Sequence, residues 1–179
     1  MGKRLLVIGG VAAGPKAAAK ARRCDPEMEI VVYQGEEEIS YAGCGLPYFI
    51  SGVVREREKL ISRTPGKFAQ DGIKVKKGHL IEKIDVQNRT VSGRKIGSGE
   101  VFSDRFDRLV IATGASPIRP KIEGIDLKNV FYLRSIFDAD VLFEQMTSNK
   151  VRNVVIAGGG YICLLYTSDA ADDLLCVDL

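Results

Sequence analysis

The chain has 179 residues, within the roughly 100 to 200 expected of one domain, and its 45% hydrophobic and 27% charged content is ordinary globular usage. Its 26 Lys and Arg against 23 Asp and Glu leave a net charge of only +3, with the basic residues scattered, so no nucleic-acid partner is indicated. No stretch is long and apolar enough to span a bilayer, and the apolar run at 5–8 leads into glycines without a signal-cleavage site, so a cytoplasmic protein with no membrane partner is expected.

The first element is that apolar run at 5–8, read as a strand. It stops at Gly9-Gly10-Val11-Ala12-Ala13-Gly14 and continues into an alanine-rich helix over 17–23, and a second strand follows at 29–33. Strand, glycine turn, helix and strand make a βαβ unit of the dinucleotide-binding kind. The glycines let the backbone bend sharply and approach a pyrophosphate, while the helix amino terminus offers free amides and a partial positive charge. Val11 replaces the middle glycine of the G-x-G-x-x-G pattern, and Gln34 stands where an acidic ribose ligand is expected. A tight turn without a ligand is the competing reading.

Lone Cys44 follows, flanked by Gly43, Gly45 and Pro47, and the segment 44–53 reads as a helix that begins at the cysteine. A thiolate is the reactive form of cysteine, and a helix amino terminus favours it. The alternative is a buried cysteine acting as a small apolar residue. The other cysteines, Cys24, Cys163 and Cys176, show no CxxC spacing and are expected as plain thiols, and no metal site is expected. Ser62-Arg63-Thr64 either touches substrate or caps a helix beginning near Pro65. From 73 to 102 the pattern changes to short alternating runs broken by Asn88, Gly93, Gly97 and Gly99, as in an antiparallel meander. His79, the only histidine, heads one of these strands and is read as structural.

The run at 106–112 is a buried strand that ends at Thr113-Gly114, the kind of strand end at which an α/β sheet places its ligand. A linker with Pro117, Pro120 and Gly124 leads to a helix over 135–146, and a strand at 153–157 runs into a second glycine turn, Gly158-Gly159-Gly160. Two such turns suggest two nucleotides. The expected fold is a three-layer α/β domain with a parallel sheet from strands near 4–8, 29–33 and 107–112, and a meander layer.

The segments 9–14, 40–48, 109–114 and 158–162 together resemble the single-cysteine branch of the FAD-dependent pyridine nucleotide-disulfide oxidoreductases, nearest the coenzyme A-disulfide and persulfide reductases. The likeness covers about residues 3–162; it carries Cys44-Gly45-Leu46-Pro47-Tyr48 in register with both glycine turns. It implies a Rossmann-like fold and FAD contacts at Gly9, Gly10, Val11, Ala12, Ala13 and Gly14, with Gln34, Leu80, Ala112, Thr113 and Gly114 completing that set. Gly158 and Gly160 would serve NADH or NADPH. It also implies coenzyme A contacts at Lys16, Lys20, Arg23, Ser40 and Gly43, the first three forming one basic stripe at helical spacing. Gln34 and Gly43 depart from the family pattern of glutamate and asparagine.

Dithiol reductases of this architecture hold two cysteines with four residues between them, and here position 49 is Phe49. Cys44 is then the catalytic residue, reacting with an outside disulfide such as coenzyme A disulfide or a persulfide, driven by NAD(P)H through FAD. An NADH oxidase or peroxidase cycling Cys44 through a sulfenic acid is one alternative, and an inactive flavin-binding fragment is another. The expected partition is 1–118 as the first part of an FAD domain, 119–150 as linker and helix, and 151–162 as the start of an NAD(P) domain. Residues 163–179 match no part of the family pattern and are read as a foreign tail on a fragment whose parent enzyme is a homodimer.

Overall fold

The computed structural model describes residues 2–148 and 151–158, and the readings placed on Gly159, Gly160 and 161–179 lie outside the described residues. The strands are β1 (Arg4–Ile8), β2 (Glu29–Tyr33), β3 (Ile73–Lys76), β4 (His79–Asp85), β5 (Thr90–Lys95), β6 (Val101–Arg105) and β7 (Arg108–Ile111). The helices are α1 (Ala13–Cys24), α2 (Leu46–Ile50), α3 (Pro65–Gln70) and α4 (Ile136–Thr147), with single 3-10 turns at Gly43–Gly45 and Arg57–Leu60. They divide into two compact units, one of Met1–Ala42 with Ile61–Ala115, the other of Gly43–Leu60 with the described residues from Ser116 on.

In the first unit a four-stranded parallel sheet has the order β3-β2-β1-β7. Side chains alternate across a strand, so Leu5 and Val7 face one side of β1 and Leu6 and Ile8 the other. The first side packs with Ala18 of α1 and Phe68 of α3, the second with Val91 of the meander. Covered on both faces, β1 and β2 bury nearly every residue, the reason they read as unbroken apolar runs. Ala18 is fully buried, and its small size lets α1 lie close on the sheet.

The meander itself is β4-β5-β6 alone. Residues 73–76, expected within it, instead pair in parallel with β2 and form the sheet's edge. An edge strand is wet on one side and carries lysines, here Lys74 and Lys76, so its alternation resembles that of a half-exposed antiparallel strand. The helix expected from 135 forms as α4, opened by a capping box in which Ser135 and Asp138 exchange side-chain and backbone hydrogen bonds.

A polar network joins the parallel sheet to the meander. The Tyr33 hydroxyl donates to Asp104 Oδ2 at 2.6 Å and accepts from Lys76 Nζ at 2.9 Å. Arg4 Nη2 lies 3.0 and 2.8 Å from the two Asp104 oxygens, and Arg4 also pairs with Glu29. Above these groups the Tyr33 ring stacks on Phe102 at 5.3 Å.

In the second unit, the helix expected over 44–53 shortens to α2 and ends in a left-handed glycine, Gly52 at φ +82°. The strand expected at 153–157 has no ladder partner among the described residues, and Val155 is 91% exposed. An apolar run becomes a strand only where a neighbour accepts its amides.

Candidate functional site

The glycine turn sits at the carboxyl end of β1, and the neighbouring strand ends are tied to it. Gly9 donates to Tyr33 O at 2.8 Å, and Ala112 donates to Ile8 O at 2.8 Å. Gly9 has φ +104°, and a Cβ on it would stand 2.1 Å from Ala112 O. A Cβ on Gly14 would stand 1.9 Å from Gly9 O, so this glycine lets α1 start directly against the turn. No side chain caps α1 and no acidic residue stands in its first turn, while Arg22 and Arg23 fill the last. The amides at the start of α1 therefore lack the usual internal acceptor, the arrangement that suits a bound anion.

Gly9, Gly10, Gln34, Ala112 and Thr113 thus meet at the carboxyl end of the parallel sheet, and Gly114, at φ +71°, follows directly in the chain. Leu80 joins them beside Gly35 and is 39% exposed. Val11, Ala12 and Ala13 form the tip of the turn and the first residue of the helix. Gln34 is buried and its Oε1 accepts from Gly10 N at 2.8 Å. That oxygen fastens the turn internally, which leaves Nε2, a donor, as the side chain's remaining polar atom, where a carboxylate would present a second acceptor.

Lys16, Lys20 and Arg23 are all exposed on one face of α1, with Ala18 on the opposite, buried face. Ser40 is buried, not displayed. Its amide donates to Gly10 O at 2.8 Å and its carbonyl accepts from Ser62 N at 2.7 Å, while Tyr41 bridges Ile61. Residues 40–41 and 61–62 so form a closed neck from which 43–60 departs. Nothing in the sequence signalled Ser62's part in it, which is made by backbone alone. Ser40 also holds φ +49°, a left-handed conformation costly to a residue with a Cβ. Ser40→Gly should therefore stabilise the fold by up to about 1 kcal/mol and Ser40→Val should destabilise it by at least as much. Urea unfolding of the three proteins checks both signs.

Cys44 and Gly43 belong to the second unit. The Cys44 thiol is exposed and free, in the 3-10 turn preceding α2. Gly43 has open space where a Cβ would be, so the fold itself does not require glycine there. Phe49 is only 4% exposed and stacks on Phe143 with ring centroids 4.7 Å apart. Tyr48 is 41% exposed.

Other singled-out residues have plain structural partners. His79 Nδ1 lies 2.6 Å from Lys77 O, and its ring packs edge-on against Phe102 at 5.1 Å. Thr64 caps α3, accepting from Lys67 N at 3.4 Å, while Arg63 pairs with Asp71 and lies over the Phe68 ring. Gly158 has φ +140°. No helix among the described residues is long and apolar enough to cross a membrane.

Against known proteins, the chain is 42% identical over 164 residues to the CoA-dependent NAD(P)H sulfur oxidoreductase of Pyrococcus furiosus, covering 90% of this chain and 36% of that protein. It is 33% identical over 159 residues to the NADH oxidase of Enterococcus faecalis, covering 89% of this chain and 35% of the relative. The crystal structure of reduced Bacillus anthracis CoADR-RHD superposes with a TM-score of 0.92 at 32% identity, over 96% of this chain and 31% of that one. The chain therefore spans about a third of the length of the proteins it matches. The family model for pyridine nucleotide-disulphide oxidoreductases matches residues 3–173, and so runs past residue 162. On that match, which takes in the parallel sheet, the glycine turn and the meander, this chain belongs to the pyridine nucleotide-disulphide oxidoreductases.

Proposed function

We propose that this chain carries the FAD-binding turn and the reactive thiol of an NAD(P)H-driven reductase of coenzyme A disulfide or a related persulfide. The observation that carries this reading is Cys44: an exposed, unpaired thiol whose would-be partner position holds the buried Phe49. With no second cysteine in the segment, Cys44 takes its partner sulfur from outside. The Cys44 thiolate attacks one sulfur of RS–SR, forming a Cys44–S–S–R mixed disulfide and expelling RS⁻. Two electrons and a proton then return Cys44 to the thiolate and release RSH.

The uncapped start of α1, together with Gly9, Gly10 and Gly14, fits the pyrophosphate of FAD, and Gln34, Leu80, Ala112, Thr113 and Gly114 lie along the same edge. Bound FAD would supply the two-electron relay from the nicotinamide. Lys16, Lys20 and Arg23 offer a row of exposed cations suited to the phosphates of a nucleotide-like thiol, with charge-assisted bonds to phosphate oxygens. The relatives named as CoA-dependent sulfur oxidoreductase and CoA disulfide reductase support this substrate class.

The test is peptide-mapped mass spectrometry after exposure to coenzyme A disulfide. One coenzyme A should attach at Cys44 and none in Cys44→Ser, and charge reversal of Lys16 and Lys20 should slow the attachment by about tenfold. An adduct on Cys24 instead, or an unchanged rate in the reversed protein, overturns the assignment. The NADH oxidase relative motivates a second reading, in which peroxide converts Cys44 to a sulfenic acid. Trapping with dimedone distinguishes it: abundant dimedone adduct with no coenzyme A adduct favours the oxidase.

A further inference from the structure

The cysteine segment has little structure of its own. Cys44 is exposed, Gly43 and Gly52 have open space about them, and α2 has five residues, too few to hold helical form unaided. Yet a thiol that must meet a disulfide in line needs a fixed position, since a misplacement of about 1 Å can cost on the order of a hundredfold in rate. The order must come from what the segment packs on, and within its unit that is α4.

Two side-chain contacts contribute to the attachment. Phe49 stacks on Phe143 with centroids 4.7 Å apart and planes inclined by 22°. Eight residues further on, Arg57 Nε lies 2.8 and 2.9 Å from the two carboxylate oxygens of Asp140. Asp140 and Phe143 are three residues apart on α4 and so share one helix face. Both members of the ion pair are about one-third exposed, 33% and 32%, so the pair is partly shielded from water and restricts motion more than a fully solvated pair would. The capping box at Ser135 and Asp138 fixes the start of the helix that carries both residues.

We propose that Asp140, with Phe143, is a positioning residue for the Cys44 chemistry: α4 pins the cysteine segment at the last turn of α2 and again at Arg57, and the thiol reaches an incoming disulfide in the right geometry only while the Arg57–Asp140 pair is made. The inference rests on Cys44 being the reacting thiol. It adds to that reading a control point remote in sequence, 83 residues from Arg57, that acts on the cysteine segment through α4.

The experiment uses the whole chain and two reagents. Methyl methanethiosulfonate is small and reports how reactive the Cys44 thiol is in itself; coenzyme A disulfide is bulky and reports whether it is correctly placed. Rates at Cys44 are read by peptide mapping in the unaltered chain, in Asp140→Arg, and in the charge-swapped Arg57→Asp/Asp140→Arg protein. Asp140→Arg should slow reaction with coenzyme A disulfide about tenfold and leave the small reagent within about twofold, and the swap should restore most of the loss. Hydrogen exchange of 44–57 should rise in the single variant and fall again in the swap, with β1 and β2 unchanged.

Equal rates in Asp140→Arg and the unaltered chain overturn the proposal. So does parallel slowing with both reagents that the swap does not rescue, because that marks general loss of structure. If the unaltered chain takes up no coenzyme A at Cys44, the functional reading fails first, and hydrogen exchange then reports on the anchoring alone. Phe143→Leu, which keeps the apolar volume and removes the stack, is the second variant should Asp140→Arg fold poorly; a coenzyme A disulfide rate equal to that of the unaltered chain would also overturn the proposal.

Discussion

Gly14→Val should destabilise the first unit by at least about 3 kcal/mol and abolish the FAD binding proposed for the turn. The first atom of any side chain there would fall 1.9 Å from Gly9 O and 3.0 Å from Val7 Cγ1, one a backbone atom and the other part of the buried core. Neither neighbour can give way alone. Gly9 is itself fixed by its bond to Tyr33 O and has no room for a Cβ beside Ala112 O, and Val7 is fully buried in β1. The only relief is for α1 to slide away from the sheet, which uncovers Ala18 and pulls the helix amides away from the place a pyrophosphate would occupy. Gly43→Asn, by contrast, meets open space and should change stability by less than about 0.5 kcal/mol. Urea unfolding with fluorescence titration of added FAD checks both. A Gly14→Val protein of ordinary stability would mean that the turn is looser than its contacts indicate.

The parts of this molecule that were legible in its sequence are those whose signal is local. Residues 5–8 and 30–33 are apolar at every position because their strands are covered on both faces, and Ser135 with Asp138 spells a helix start in four residues. Gly9 and Gly14 announce the turn because the contacts that demand them lie within or beside the motif. What stayed hidden depends on partners far away in the chain. The place of 73–76 at the sheet edge is decided by pairing with β2, and lysines at an edge look the same as lysines in a meander. The neck at Ser40 and Ser62 is made of backbone bonds, which leave no residue preference beyond the strain at Ser40. The Arg57–Asp140 pair joins two charged residues that, read singly, are ordinary surface charges. Gln34 shows the reverse case: the departure from the expected carboxylate was visible, but its use as an acceptor for Gly10 was not.

Asp104→Asn should lower stability at neutral pH by about 2 kcal/mol, and the difference from the unaltered chain should shrink as the solution is acidified. Burial by itself pushes the Asp104 carboxyl upward, but the hydrogen bonds from Tyr33 and Arg4 outweigh it and hold the group below its ordinary value. Tyr33 is shifted the other way, its ionisation suppressed by burial and by the bond it donates to Asp104. The carboxylate therefore contributes its full share above its unfolded pKa of about 3.9, and that share is lost as pH falls through the lower folded value. The asparagine keeps the shape but not the charge. It leaves Arg4, whose Nε is already buried without a hydrogen-bond partner, with Glu29 as its remaining carboxylate. Urea unfolding from pH 7 downward should then give two stability curves whose gap narrows progressively as the solution is acidified below the unfolded pKa. Parallel curves, with the same gap at every pH, would show that the loss comes from packing and not from the ionised carboxylate that joins the meander to the parallel sheet.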